Sequence, residues 1–162
     1  MVLITQYREE RDEKGRIHIC SEEVSVCPIC FGMLLVIGSR TRGLIDGAGY
    51  IITLVIRRLR CKLCCKIHHE LPDRVIPYKR HCMETIENVV NGNTDDVCCC
   101  FVTERRIKAW WAALILYFRS VITSLQVKYG AMFSVEATPR EIVRALANTN
   151  LWVHTRSVSM SH

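Results

Sequence analysis

The chain has 162 residues, enough for one domain or two small ones, and its 49% hydrophobic and 23% charged residues exclude a disordered or fibrous protein. The formal net charge is +6, and ten of the 22 Lys and Arg residues fall within residues 40–80. Such a concentration of positive charge is typical of a protein that binds a polyanion, although a solvated hairpin would also carry charge.

The ten cysteines would suggest disulfides in a secreted protein, but residues 1–12 lack the basic segment and long apolar core of a secretory signal. We therefore expect reduced thiols and a cytoplasmic location. The longest apolar run, residues 109–118, is shorter than the roughly 20 residues that a bilayer-spanning helix needs. We expect a buried helix there and no contact with a membrane.

Residues 1–24 combine a short β-prone opening with a charged loop, and we treat them as an N-terminal segment without an assigned function. Residues 33–39 and 50–60 are predicted strands, and the second alternates, with Ile52, Leu54 and Ile56 on one face. A cysteine pair borders each strand. These features predict a small β-hairpin zinc ribbon over residues 25–76.

The two cysteine pairs are Cys27-Pro-Ile-Cys30 and Cys61-Lys-Leu-Cys64. Four thiolates are the donor set of a structural zinc site, and we predict that these four bind one Zn²⁺. Their separation exceeds the roughly 15–20 residues of the commonest pattern, and a long hairpin would supply it. A ribbon this small buries little apolar area, so zinc should supply free energy on the order of 10 kcal/mol.

Other side chains compete with this assignment. Cys65 stands where such a turn favours glycine, because the backbone there often needs positive φ, and it could replace a neighbouring ligand. His68 and His69 are expected at the hairpin edge or in solvent, because two consecutive side chains rarely face one ion, although His68 could substitute as a ligand. The residues Cys98-Cys99-Cys100 are expected to be buried in a short helix. The alternative to a metal site is a set of buried or incidental thiols.

The second half of the chain is predicted to be helical. Apolar residues recur between Tyr78 and Val89, and Asn91-Gly92-Asn93 ends this helix. A long helix is predicted to begin at the N-cap Thr103, with an apolar stripe made of Ile107, Trp110, Trp111, Leu114, Phe118, Val121, Ile122 and Leu125. Thr138-Pro139-Arg140-Glu141 is a capping box with proline at the first helical position.

The predicted fold class is therefore α+β, with the zinc ribbon followed by a helix-turn-helix-like domain over residues 77–148 and a tail over residues 149–162. Several stretches also resemble an uncharacterised bacterial domain family that is similar to the N-terminal zinc ribbon and helix-turn-helix region of insertion-sequence transposases. These stretches are residues 27–30, 36–40, 56–64, 68–73 (His-His-Glu-Leu-Pro-Asp), 77–80 and 103–111. Cys65 and the cysteine triplet depart from the family pattern. The resemblance implies metal-supported DNA binding.

The predicted DNA contacts include the cations Arg105, Arg106 and Lys108 at the start of the long helix, where a recognition helix meets base edges and phosphates. The alternative for them is an ordinary solvated helix face. The full predicted nucleic-acid-binding set is Arg57, Arg58, Arg60, Lys62, Lys79, Arg80, Arg105, Arg106 and Lys108.

We expect a zinc- and DNA-binding protein related to the recognition part of a transposase, with no catalytic activity and no small-molecule substrate. A transposase nuclease needs three carboxylates that hold two metal ions, and only Glu136 and Glu141 follow residue 111. The alternative function is a protein-interaction module that docks an acidic partner and forms oligomers through residues 109–125. A thiol oxidoreductase is disfavoured, because no Cys-x-x-Cys opens a helix in a βαβ unit.

Overall fold

The computed structural model describes residues 1–95, 97–130, 134 and 136–153. Within these residues the chain forms six strands and then three helices. The strands are β1 (Val2–Ile4), β2 (Tyr7–Arg11), β3 (Ile17–Ser21), β4 (Leu34–Ile45), β5 (Ile51–Cys61) and β6 (Ile67–Pro72). The helices are α1 (Met83–Asn91), α2 (Phe101–Tyr129) and α3 (Pro139–Asn148).

All six strands belong to one mixed sheet in the order β1-β6-β5-β3-β2, with β4 paired to β5. Strands β4 and β5 run antiparallel from the pair Leu34–Cys61 to the pair Ile45–Ile51. On its other edge β5 pairs with β6 at residues 58–60 and with β3 at residues 54–55. Strand β5 therefore has β4 on one edge and both β3 and β6 on the other, and the mixed sheet forms a half-barrel.

The helix ends follow from local chemistry. Helix α1 ends at Gly92, which adopts φ 84° and donates its backbone N–H to the carbonyls of Asn88 and Val89. The predicted capping box of α3 is confirmed, because the Thr138 side chain accepts from the Glu141 backbone and the Glu141 carboxylate accepts from the Thr138 backbone. Helix α2 begins three residues earlier than predicted, because its N-cap is Cys100 and not Thr103.

A single hydrophobic core joins the helices to the sheet. Phe118 of α2 is fully buried, and its ring lies 5.4 Å from Trp111 and 5.8 Å from Trp152 between ring centroids. The sheet contributes buried residues such as Leu54 and Ile56, which confirms the predicted alternation of β5. Burial of these large side chains is the main source of stability at this end of the molecule.

In the part of the chain that is described, α2 is the one helix long and apolar enough to cross a membrane by length and composition alone. This is weak evidence, because core helices satisfy the same test. Within the run 109–118 only Trp111, Leu114 and Phe118 are buried, and Leu116 is 78% exposed. The prediction of a buried helix is therefore right for one stripe of α2 and wrong for the rest. The predicted absence of membrane contact stays a prediction.

The predicted fold, a small β-hairpin zinc ribbon followed by a helix-turn-helix segment, is wrong. The hairpin is not an independent ribbon, because β5 also pairs with β3 and β6 in the mixed sheet. Helix α2 is also no recognition helix in a compact helix-turn-helix, because it runs for 29 residues and packs against α1 and α3 over the sheet core. Between α1 and α2 the described residues, 92–95 and 97–100, form no helix, so Cys98–Cys100 do not lie in the predicted short helix.

Residues 1–24 supply three strands of the sheet, a role that their sequence did not indicate. Strand β1 pairs in parallel with β6, and β3 pairs in parallel with β5. The division into segments 1–24, 25–76, 77–148 and 149–162 stays a prediction. Most of the predicted tail, residues 154–162, lies outside the described residues.

Candidate metal centre and basic surface

Four cysteine sulfurs meet at one end of the β4–β5 hairpin. The Sγ atoms of Cys27, Cys30, Cys61 and Cys64 all lie within 4.8 Å of one another. The Cys27–Cys64 distance is 3.6 Å and the Cys30–Cys61 distance is 3.4 Å, both far longer than a disulfide bond of about 2.05 Å. All four cysteines are free thiols. The structure thus brings the four predicted ligands together.

Two turns with matching backbone hydrogen bonds hold these sulfurs. In the first turn the Cys27 N–H donates to Gly32 O over 3.0 Å, and the Phe31 N–H donates to Cys27 O over 2.8 Å. In the second, the Cys61 N–H donates to Lys66 O over 3.0 Å, and the Cys65 N–H donates to Cys61 O over 3.1 Å. Each turn therefore presents two sulfurs on the same side.

The residue after each pair adopts positive φ, 58° at Phe31 and 57° at Cys65. This is the conformation that led us to expect glycine at position 65, and both residues accept it at a cost of roughly 1 kcal/mol. Gly32 is required for a different reason. A Cβ atom there would lie 3.0 Å from the Cys61 sulfur and 2.9 Å from the Leu63 side chain, so a larger residue would displace both of these side chains.

His68 is a further part of the centre, and the expectation of a solvent or edge position for it is wrong. Its side chain is 4% exposed, and its Nε2 lies 3.4 Å from the Cys27 sulfur. Burial lowers the pKa of His68 to about 4, so the imidazole is neutral near pH 7. A neutral imidazole with its proton on Nε2 donates a hydrogen bond to the sulfur and orients it.

A buried ion pair fixes the chain just before the first turn. Glu70 is 1% exposed, and its carboxylate accepts two hydrogen bonds from Arg57, at 2.5 and 2.8 Å. The Ser25 hydroxyl donates to the same carboxylate over 2.7 Å. Because Ser25 lies two residues before Cys27, this network ties the first cysteine turn to the sheet.

The thiols differ in acidity because their surroundings differ. The backbone N–H groups of Cys64 and Leu63 point at the Cys61 sulfur and lower its pKa to about 7. Cys64 receives a stabilising N–H from Lys66, but burial and the neighbouring sulfurs outweigh it and raise the pKa to about 12. Four sulfurs this close cannot all ionise without a cation between them, and a divalent ion removes that repulsion.

The arrangement fits a tetrahedral metal ion. Zinc–sulfur bonds of about 2.3 Å place the sulfurs of a tetrahedron about 3.8 Å apart. The observed separations, from 3.4 Å up to 4.8 Å, bracket this value. Cys65 is exposed and does not belong to the cluster. Cys98 and Cys100 are also exposed, contrary to the expectation of burial, and Cys99 is half-buried.

The predicted nucleic-acid contacts occupy several places. Arg57 is held by Glu70, whereas Arg60 and Lys62 are exposed beside the second cysteine turn and Arg58 is half-buried opposite His69. The ammonium group of Lys79 lies 4.0 Å from the centroid of the Trp110 ring.

Burial lowers the pKa of Lys79 to about 8. Arg105, Arg106 and Lys108 are exposed on the first turns of α2, where Arg106 precedes Trp110 by one helical turn. Arg80 is exposed and follows Lys79 directly.

Sequence reasoning missed three further side chains. Arg40 and Arg42 on β4 lie opposite Ile56 and Leu54 of β5, and His69 lies opposite Arg58. The signal was present as Arg40-Thr-Arg42, because residues two apart on a strand share one face. Without the pairing of β4, β5 and β6, this pattern could not be placed beside residues 79–80.

One family model matches the chain, that of DUF6431, a domain of unknown function, over residues 27–110. The match begins at the first cysteine of the cluster and includes β4, β5, β6, α1 and the start of α2. No curated protein and no solved structure matches the chain.

Proposed function

We propose that this chain, which belongs to the DUF6431 family of domains of unknown function, binds one Zn²⁺ through its four clustered cysteines and binds DNA with the basic hairpin that the metal stabilises. The observation that carries the proposal is the convergence of Cys27, Cys30, Cys61 and Cys64 within 4.8 Å. Metal binding would join the two turns into one rigid unit at the end of β4 and β5.

The choice of zinc rests on the ligand set. Four thiolates in a tetrahedron bind zinc or iron, and zinc is the usual ion of a closed structural site. Cys27 and Cys61 are almost fully buried, so the ion would have no open position for a substrate. A colourless protein that contains zinc separates this assignment from an iron–thiolate centre, which absorbs visible light.

The choice of DNA rests on unpaired positive charge. Among the described residues, none of the carboxylates forms an ion pair with Arg58, Arg60 or Lys62, although the acids elsewhere engage other arginines. Exposed cations on a rigid strand and turn suit the phosphate backbone, which supplies most of the affinity of non-specific DNA binding. The α2 cations extend this surface in the proposal, without the helix-turn-helix geometry that the structure contradicts.

The proposal assigns no catalytic activity to the chain. Glu141, one of the two acids after residue 111, caps α3. The relation to transposases rests on the quoted sequence stretches alone.

Fluorescence anisotropy with a labelled random duplex tests the DNA part. With four to six phosphates neutralised, we expect log affinity to fall against log salt with a slope of about −4 to −5. Changing Arg60→Gln and Lys62→Gln together should reduce this slope by about two. The matched control is Arg144→Gln, an exposed arginine on α3. A slope near zero, or an equal loss in the control, would overturn the DNA assignment.

One observation favours a second function, the binding of an acidic, partly apolar protein segment. Large apolar side chains surround the cysteine turns and are exposed, among them Phe31 at 71%, Leu63 at 72% and Met33 at 60%. Exposed apolar clusters rimmed by charge are typical of protein interfaces. Salt-sensitive binding to an acidic peptide, without binding to duplex DNA, would favour this function over the first.

A further inference from the structure

A cavity of about 320 Å³ opens between β4, β6 and the turn at residues 78–80. Ile56 and Leu71, each 1% exposed, contribute apolar lining. The polar lining consists of Arg40, Arg42, His69, Tyr78, Lys79 and Arg80. The lining residues include four Lys or Arg side chains and no Asp or Glu, so the cavity is strongly positive.

The surrounding chain does not neutralise this charge. In the described ranges, no carboxylate forms an ion pair with Arg40, Arg42, Lys79 or Arg80. The nearby acids are engaged elsewhere, Glu70 with Arg57 and Asp73 with Arg140.

The positive charge that no carboxylate neutralises also acts on His69. The pKa of His69 is lowered by burial and by the positive charges of Arg40, Arg58 and Arg42. Cations held together without a counter-charge raise one another's free energy, and a bound anion removes that cost.

Part of the cavity wall is fixed before any ligand arrives. The Arg42 Nη2 donates to the carbonyls of Ile76 and Lys79 over 2.7 and 2.9 Å, which joins β4 to the turn. The Ile45 N–H donates to Arg80 O over 2.7 Å and fixes the far end of the same turn. Side chains on fixed backbone lose less conformational entropy when they bind a ligand.

From this cavity we infer a binding subsite for one phosphate group of a nucleotide unit. Guanidinium groups form paired hydrogen bonds to phosphate oxygens, and Arg40 and Arg80, which are exposed, would supply them. Small-molecule pockets span about 300–1,000 Å³, so this cavity lies at the lower end of that range and suits a single nucleotide unit. The unit is either a free nucleotide or part of a DNA strand, and the second case rests on the proposed function.

Calorimetric titration of the zinc-loaded chain with inorganic phosphate and then with a deoxynucleoside monophosphate tests the subsite. We expect saturable binding of one ligand per chain, tighter for the nucleotide than for phosphate. Arg40→Gln should weaken both by about tenfold or more, because it removes one charge-assisted contact. Arg144→Gln, the control outside the cavity, should leave both unchanged. Absence of saturable binding, or equal weakening by the two substitutions, overturns the subsite.

Two further measurements keep the test decisive. Arg40→Lys retains the charge without the paired N–H groups of a guanidinium, and its affinity for phosphate should fall between those of the parent and Arg40→Gln. If Arg40→Gln does not fold, Arg40→Lys should still bind phosphate more weakly than the parent. Competition of phosphate against labelled duplex separates the two proposals. Duplex binding that neither phosphate nor Arg40→Gln affects excludes a DNA strand as the occupant of the subsite and leaves the DNA function standing. Nucleotide binding without duplex binding overturns the DNA function and supports a free nucleotide as the ligand.

Discussion

The two ends of the β4–β5 hairpin are stabilised in different ways. At the helical end, β5 contributes Leu54 and Ile56 to a core that includes Phe118 and Trp152. At the cysteine end, Cys27 and Cys61 are buried but lie outside that core, and apolar neighbours such as Phe31 are exposed. Hydrophobic burial can hold the first end, whereas the second needs another source of free energy.

This difference explains how β4 and β5 can contribute to the hydrophobic core at one end and present an exposed, charged surface at the other. A buried leucine or phenylalanine contributes about 1.5–3 kcal/mol, and many of them act together at the helical end. A structural zinc ion contributes on the order of 10 kcal/mol at a single point, so the cysteine end can stay exposed and charged. Its surface is then available for a ligand.

The largest expected effect comes from Cys61→Ser. This change should abolish zinc binding and remove free energy on the order of 10 kcal/mol from the cysteine end, because three thiolates form no closed site. Hydrogen exchange should then accelerate in residues 25–36 and 59–68, while the helices keep their protection. Cys65→Ser is the matched control, because Cys65 is exposed and outside the cluster. Zinc loss in the control would show that the ligand set is different.

A smaller effect, at the helical end of the hairpin instead of the cysteine end, is expected from Phe118→Ala. Removing this fully buried ring should lower the free energy of unfolding by about 3–5 kcal/mol in denaturant titrations, while zinc content stays the same. Leu116→Ala on the same helix is the control, since Leu116 is 78% exposed and its loss should change the free energy by less than about 0.5 kcal/mol. Zinc release by Phe118→Ala in the folded state would mean that the two ends are not independent.

Glu70→Gln should affect both ends of the hairpin, because Glu70 links the sheet to the first cysteine turn. It removes the buried partner of Arg57 and weakens the link to Ser25, so we expect a loss of about 3 kcal/mol in unfolding free energy. Zinc affinity should fall as well, since Ser25 precedes the first cysteine turn. Glu10→Gln, at an exposed position on β2, is the control. Unchanged stability and zinc affinity in Glu70→Gln would show that the contacts among Arg57, Glu70 and Ser25 do not support the first cysteine turn.

The smallest effect is expected at the capping box of α3. Thr138→Ala should lower the free energy of unfolding by about 1 kcal/mol, measured at pH 7 by thermal or denaturant unfolding. The pKa of Glu141 is lowered because the Thr138 backbone and hydroxyl donate to its carboxylate. A folded pKa below the ordinary 4.5 means that this stabilisation is present above pH 4.5 and is lost as pH falls through the folded value. The part of the deficit that comes from the lost hydroxyl–carboxylate bond should therefore disappear in acid, whereas the part from the lost cap bond to the Glu141 N–H should remain. A deficit of the same size at pH 7 and in acid would contradict the hydroxyl–carboxylate part.

Local patterns in the sequence predicted the local parts of the structure. The spacing of Cys27–Cys30 and Cys61–Cys64 indicated four converging thiolates, and the motif from Thr138 to Glu141 indicated a helix start. Each depends on residues within a few positions of one another, or on the strong preference of a metal for four sulfurs.

The long-range parts could not be predicted from these patterns. The pairing of β1 with β6 and of β3 with β5 is set by contacts between distant segments, which the charged, irregular sequence of residues 1–24 does not indicate. Without that pairing, the pattern of β4 and β5 alone is the pattern of a separate ribbon. The burial of His68 and the convergence of Arg40 on residues 79–80 followed from the same curved sheet.

The decisive measurement for the proposed metal site is the zinc content of the chain purified without chelators, with Cys27→Ser/Cys61→Ser as the comparison and Cys65→Ser as the control. We expect one zinc ion per chain in the parent and in the control, and none in the double variant. Equal metal content in all three proteins, or no metal in the parent, would contradict the account.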